Sequence, residues 1–585
     1  MLVRRPDRTA SYPARPALVL AFLVLFAVPA FADTVTIAWD PNPPADNVVR
    51  YIVYYGSQPG TQAADYPFWQ DVGNVTEGTI SNLGPGTYYF AVEAVSASGL
   101  RSPLSAPVST SISITGETQT AWMTRFGITD MTADPDGDGV TNTNEFVNGT
   151  DPGIQNTWVL AEGASGFFNA RFAFMNPGTD QAEVTVTFLR EGKPPVALPY
   201  SIPAKSRRTI NSTDIPELAW VSFSTEVTTQ RGGVLVERTM TWGGADKTES
   251  AHTGKAVSGP ALDWYFAEGD ARTFDTYLLL ANANPTAVNV SVTYMLDTGA
   301  TLQEIYTVAA NARRTVYTNN IAGLLNSSFS MSVHASAPIN AERAMYVSYA
   351  DAYYRCGTDS PGVEAPSTQW FIAEGHVDGR FDEYISLANP NPTSTNATIR
   401  YLRPTGPAIT QTYTLLPNSR RTVYVNEVPG IAYTDVSASI TATAPIVAER
   451  SMYWRGETAR WDEGHNSTAL AAIGTDWALA EGETGGPKNA ISYILMANPN
   501  AQDAAVTVTI LRDNNLPPLT VTRTVRANSR LTMSSAELAL SSGETFGALI
   551  TSTNGVPIAV ERAMYWDSAT RSWSAGTNET GFLLK

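Results

Sequence analysis

Cysteine is almost absent. Cys356 stands alone in 585 residues, so the chain can close no disulfide within itself. An oxidising compartment is thereby allowed but not used. Cys356 itself reads as a small residue in a linker, the alternatives being a free thiol or an intermolecular bridge. Histidine is scarce too: His252, His334, His376 and His465 do not cluster in sequence and suggest neither a zinc site nor a catalytic triad. Only 16% of residues are charged, and the basic ones are outnumbered 38 to 55, a formal charge of −17. An acidic surface repels phosphate backbones, which argues against nucleic acid and anionic lipid as partners. Long hydrophobic runs are missing after the first thirty residues, so no later segment is expected to span a membrane.

What is abundant is Thr, Ser, Asn, Gly, Val and Tyr, a mixture that suits strands and turns. The amino terminus has the layout of a signal peptide. A basic stretch precedes the apolar run 17–28, Pro29 ends it, and Ala30-Phe31-Ala32 places small residues where a signal peptidase reads. Cleavage after Ala32 would leave 34 basic and 54 acidic residues, a charge of −20, in a secreted, extracellular or cell-surface protein.

Residues 33–115 read as one domain of short strands. In Thr34–Asp40 the apolar Val35, Ile37 and Trp39 alternate onto one face. Tyr51–Gly56 is a second strand, and Leu83-Gly84-Pro85-Gly86-Thr87-Tyr88-Tyr89 leads into a third. These residues resemble the fibronectin type III fold. The resemblance implies that Tyr89 makes a tyrosine corner and that Trp39 is the core tryptophan.

Residues 116–155 follow as a linker. Residues 134–145 place Asp134, Asp136 and Asp138 at loop positions 1, 3 and 5, and Gly139 at position 6. The Val140 carbonyl falls at position 7, Asn142 at 9 and Glu145 at 12. Calcium is a hard cation that takes six to eight oxygens, and clustered carboxylates repel one another without it. The spacing therefore predicts a structural Ca2+ held by Asp134, Asp136, Asp138, Val140, Asn142 and Glu145. A helix over 117–126, with Trp122 and Phe126 on one face, and a second over 144–148 would flank the loop. The segment is similar to the single EF-hand-like loops of dockerin and thrombospondin type 3 units. One loop without a partner hand implies a stiffened joint rather than a calcium switch.

The rest of the chain is an internal repeat. Trp-x-x-Ala-Glu-Gly recurs from Trp158, Trp264, Trp370 and Trp477, at steps of 106, 106 and 107 residues. An Asn-Pro turn, an Arg-Arg-Thr or Arg-Leu-Thr segment and a Glu-Arg pair keep the same period. The pairs are Glu237/Arg238, Glu342/Arg343, Glu449/Arg450 and Glu561/Arg562. Four modules result, over 156–258, 259–365, 366–470 and 471–585, joined by Gly-, Ser- and Pro-rich linkers at 243–263, 350–369 and 455–476. In the first module, strands are predicted over 169–176, 183–189, 196–202, 208–211, 221–228 and 234–242. Short alternating strands with frequent turns predict immunoglobulin-like antiparallel β-sandwiches. The combination of motifs is similar to repeats of uncharacterised bacterial secreted proteins, which carry no transferable activity.

The fold class expected is therefore all-β: tandem sandwiches, one fibronectin type III-like and four immunoglobulin-like, with a small helical calcium linker. Paired carboxylates such as Glu162 and Glu237 can hydrolyse glycosides. Their recurrence in every copy favours partly buried ion pairs between each Glu and Arg near a sheet end, with the Glu of Ala-Glu-Gly as a second acceptor. No catalytic residue is assigned. The function expected is a non-catalytic structural or adhesive spacer, six units in series with a calcium-stiffened joint, whose partners would be matrix polysaccharide or surface proteins. The alternative is a multivalent carbohydrate binder whose Trp454 and Trp566 stack on sugars.

Overall fold

The computed structural model of the chain describes residues 35–584, except 82, 84–85, 114–118, 137, 139, 245–246, 350–351, 456–460, 514–515 and 570. The predicted signal peptide and Gly139 lie outside the described residues. The chain forms two compact units, Met1–Gly153 and Ile154–Lys585. Strands dominate both, and the protein is all-β. No helix among the described residues is long and apolar enough to cross a membrane.

The first unit contains β1 (Val35–Ala38), β2 (Val48–Gly56), β3 (Phe68–Gly73), β4 (Glu77–Ile80), β5 (Gly86–Ser96) and β6 (Val108–Ile112). β1 pairs with β4, and a second, four-stranded sheet runs β3-β2-β5-β6. The alternation read from the sequence places Val35, Ile37 and Trp39 in one core with Tyr51, Val53 and Phe90. Trp39 lies 5.3 Å from the Tyr51 ring. Tyr89 is half-buried in β5 and packs with Ile52, Tyr54 and Tyr66; among the described residues its hydroxyl makes no hydrogen bond. Helices α1 (Gln119–Phe126) and α2 (Asn142–Asn148) complete the unit. They meet through Trp122, whose ring lies 5.1 Å from Phe126 and 5.7 Å from Phe146. α2 also packs against β6, so the helix pair belongs to the first unit rather than hanging as a free linker.

The first module of the second unit contains β7 (Thr157–Leu160), β8 (Asn169–Asn176), β9 (Ala182–Arg190), β10 (Val196–Ile202), β11 (Ser206–Asn211), β12 (Phe223–Arg231), β13 (Leu235–Trp242) and β14 (Ser250–Lys255). One sheet runs β10-β9-β12-β7, and the other runs β11-β8-β13-β14. All pairs are antiparallel. Phe172, Val186, Phe188, Phe223 and Leu235 fill the space between the sheets. In the second and third modules the counterparts of β12 and β13 fuse into single strands, Phe329–Tyr349 and Ser437–Arg455, that pass from one sheet to the other.

Two expectations are corrected here. The segments read as linkers are not linkers: β14 and its counterparts Ala352–Pro361 and Trp461–Thr468 are strands, as is Ala575–Thr580 at the same place in the fourth module. Cys356 sits fully buried in the second of them. Nor do the four modules run in series. Their innermost strands touch in a cycle, first to second, second to third, third to fourth and fourth back to first. The four copies close into one ring.

Candidate functional sites: an acidic loop and a closed charge ring

The ring is held by the recurring Glu-Arg pairs. Successive residues of a strand point to opposite sides, so the Glu and Arg of one pair do not pair with each other as the sequence suggested. Each turns toward a different neighbour. Arg238 donates to Glu342 of the second module at 3.0 Å, and Arg343 donates to Glu449 of the third at 2.5 Å. Arg450 lies 3.6 Å from Glu561 of the fourth. Arg562 closes the cycle by donating to Glu237 of the first at 2.8 Å. All eight side chains are essentially inaccessible.

The same Glu residues clasp the backbone of the preceding module. Glu342 accepts from the Ala161 and Glu162 N–H groups at 2.8 Å each. Glu449, Glu561 and Glu237 accept from Ala267, Ala373 and Ala480, each at 2.7 Å. The Ala-Glu-Gly turn is thus the receptor for the next module. Its carbonyls accept too: Arg238 donates to Glu162 O at 2.5 Å and Arg343 to Glu268 O at 2.8 Å.

The Glu side chain of the Ala-Glu-Gly turn therefore does not clamp the Arg of the Glu-Arg pair. It faces the following module instead. Glu162 lies 3.4 Å from Arg313, Glu374 lies 3.9 Å from Arg530, and Glu268 accepts from Ser451. At the closing seam Glu481 accepts from Thr239 and lies 2.6 Å from Arg171. Burial alone would lower the Arg238 guanidinium. Asp359, Glu342 and Glu162 more than offset it and hold it above its ordinary range. These carboxylates are consumed by packing, and no pair of them faces an open cleft.

The axis carries further polar groups that the linker reading had hidden. Glu463 accepts backbone N–H bonds from Ala251 at 3.1 Å, Gly357 at 3.2 Å and Gly464 at 3.0 Å, thereby tying three modules. Burial pushes its carboxyl well up. Burial, then Glu463, pushes the Cys356 thiol well up, which disfavours the reactive thiolate. His252 and His465 bond the Tyr346 and Tyr565 hydroxyls at 3.0 and 2.9 Å and are buried. Trp454 and Trp566 are buried too and donate to the carbonyls of Trp573 and Thr248. They cannot stack on an external sugar, which corrects that part of the carbohydrate reading.

In the first unit the acidic loop gathers Asp134, Asp136 and Asp138, whose carboxylate oxygens lie within 4.8 Å of one another. Burial, with Asp138 and Asp134 beside it, drives Asp136 up to about 7. The loop folds by local bonds: Asp138 N–H to Asp136 at 3.3 Å, and Val140 N–H to Asp138 at 2.7 Å. Asn142 and Glu145 start α2 and are both buried. Asn142 Nδ2 donates to the Asp130 carbonyl at 2.7 Å, while its Oδ1 has no hydrogen-bond partner. Glu145 stands outside the three-carboxylate cluster. An all-oxygen donor set at this charge density fits a hard divalent cation.

No known protein family matches the chain, and no curated protein matches it. Among solved structures, Thermotoga maritima protein 1070 is 12% identical over 18% of this chain and 96% of that one, with a TM-score of 0.17. The Anabaena sensory rhodopsin transducer is 21% identical over 14% and 93%, TM-score 0.13. A tetra-tandem repeat from the extending region of a large adhesion protein is 12% identical over 69% and 92%, TM-score 0.10.

Proposed function

We propose that this chain is a non-catalytic secreted or cell-surface scaffold: a fibronectin type III-like unit with a calcium-stabilised loop, followed by a rigid four-module ring. The observation that supports it is the complete use of the recurring Glu and Arg residues as buried joints between modules. A hydrolytic pair needs solvent and substrate access, and these groups have neither. Closure also removes the flexible linkers that would let four modules swing as separate arms. The body would therefore present fixed surfaces to matrix polysaccharide or surface proteins.

Calcium is the structural ion of this reading, held by Asp134, Asp136 and Asp138 with the Val140 carbonyl, Asn142 and Glu145 completing the set. The test uses the full mature chain in calorimetry, where the two units report separately. Millimolar calcium should raise the midpoint of the first unit and leave that of the ring in place. No shift, or an equal shift in Asp136→Ala, would defeat the calcium assignment. Glycoside hydrolysis lost in Glu237→Gln with the ring still folded would defeat the non-catalytic one.

A further inference from the structure

Three seams of the ring carry one aromatic quartet, and the fourth does not. Where the first module meets the second, Phe168 packs 5.8 Å from Tyr346 and 6.4 Å from Tyr354; those two stack at 4.3 Å, with Tyr277 at 6.0 Å from Tyr346. At the next seam Phe274 and Tyr384 flank Tyr453 and Trp461, which stack at 4.6 Å. At the third, Phe381 and Tyr493 flank Tyr565 and Trp573, stacked at 4.8 Å.

Strand register identifies the same four positions where the fourth module meets the first. Tyr346, Tyr453 and Tyr565 pair with the residues that follow Phe274, Phe381 and Ala490; Thr241 holds their place in the first module. Thr248 lies three residues before Ala251, the partner of Thr241, as Tyr354 lies before Gly357. Arg171 stands where the others have Tyr277, Tyr384 and Tyr493. All four rings are thus replaced together, by Ala490, Thr241, Thr248 and Arg171.

At this seam lies a pocket of about 520 Å³, lined by Arg171, Thr241 and Thr248 with Asn169, Asn211 and Lys488. That size suits a small ligand, since such sites run to roughly 300–1,000 Å³. Its strongest charges are already matched. Arg171 meets Glu481 at 2.6 Å and Glu483 at 3.1 Å. Asp567, also in the wall, accepts from Asn489 and from the Trp573 N–H. Besides the Lys488 ammonium, which lies 5.7 Å over the Trp566 ring, what the wall offers is amides and hydroxyls. Two of its buried donors, Arg171 Nε and Thr248 Oγ1, have no hydrogen-bond partner.

We propose that the closing seam is a single binding site for a short neutral saccharide. Adjacent ring hydroxyls both donate and accept, which matches a wall of Asn and Thr better than a phosphate would. The site does not depend on the scaffold reading: one pocket replaces the four equal sites that the repeats suggested. The test titrates the full mature chain with glucose, galactose, mannose and their disaccharides by saturation-transfer NMR and calorimetry, with galacturonate as the acidic arm. At least one neutral sugar should bind saturably. Thr241→Tyr with Thr248→Tyr and Ala490→Phe rebuilds the aromatic filling of the other seams and should abolish binding without lowering the thermal midpoint. Should that triple variant misfold, Asn211→Ala is the second probe, with an expected loss of about tenfold for one hydrogen-bonding group. No saturable binding, binding of galacturonate alone, or undiminished binding in Asn211→Ala or a folded triple variant would overturn the proposal.

Discussion

The acidic loop and the ring axis both crowd carboxylates, and they handle the crowding in opposite ways. On the axis each Glu of a Glu-Arg pair meets a guanidinium from a neighbouring module and at least one backbone N–H. In the loop Asp136 meets Asp134 and Asp138, and its proton is held up to about 7. A charge matched inside the chain is a fastener, whereas carboxylates crowded together are suited to a cation from outside. The sharpest way to test that contrast is to unmatch the fastener. Arg238 serves Glu342, Asp359 and the Glu162 carbonyl at once. Arg238→Ala would leave buried carboxylates uncompensated and should cost about 3–5 kcal/mol of ring stability, read as a denaturant midpoint. Arg450 sits farther from its Glu561 and bonds His465 and Ser467 instead. Arg450→Ala should therefore cost less. Equal losses would show that fit at individual seams does not matter.

The loop should respond on a smaller scale and to a different variable. At ten to a hundred times its dissociation constant, calcium would stabilise the first unit by about 1.4–2.7 kcal/mol. Asp136→Ala should erase this gain without touching the ring. Arg238→Ala should do the converse. A calcium response of the ring midpoint would break the separation.

Much of this was legible before the structure. The 106-residue period, the alternating strands and the crowding of Asp134, Asp136 and Asp138 all follow from local chemistry, and the core residues Val35, Ile37, Trp39, Val184 and Val186 are buried as alternation requires. Ring closure was not legible, because it rests on strands disguised as linkers. Gly357 and Gly464 read as flexibility, and Gly576 holds the same place in the fourth module. A Cβ at Gly357 would lie 2.7 Å from Trp242, one at Gly464 2.2 Å from Tyr453, and one at Gly576 2.6 Å from Trp454. These glycines admit aromatic rings against the inner strands rather than loosening the chain. The Ser, Thr and Asn around them are buried because the axis is polar, and polar strands carry no hydrophobic alternation to detect. One signal was present in the sequence: a small residue, Ala251, Gly357, Gly464 or Gly576, recurs opposite Thr241, Tyr346, Tyr453 and Tyr565 in every module, and a solvated spacer has no need of such a repeat.

The smallest expected effect concerns pH at the third seam. His376 is half-buried, with Nδ1 2.7 Å from Asp435 and Nε2 3.3 Å from Asp378. Asp435 also accepts from Thr532 of the fourth module at 3.2 Å. Burial would lower His376, but Asp435 and Asp378 more than offset it and raise it. Burial would raise Asp435, but His376 and Arg530 bring it down to about 2. A raised histidine stabilises while protonated, so its contribution is complete below its unfolded value near 6.5 and is lost as pH climbs through the folded one. The depressed Asp435 contributes above its unfolded value and is lost as pH falls toward 2. Together they favour pH between about 4 and 6.5. Both side chains are about a third exposed, so the effect should stay below about 1 kcal/mol. His252 and His465, held well below the ordinary range by burial and then by Arg238 and Arg450, stay neutral in the folded ring, so their contribution runs the other way and grows as pH rises through the unfolded value near 6.5. Glu579, pushed up to about 7 by burial, adds a loss of the same sign as that of His376 with rising pH. His376→Asn keeps that background and removes the histidine. Between pH 6 and 8 the ring midpoint should fall more in the parent than in His376→Asn, and identical slopes would leave the seam no histidine contribution.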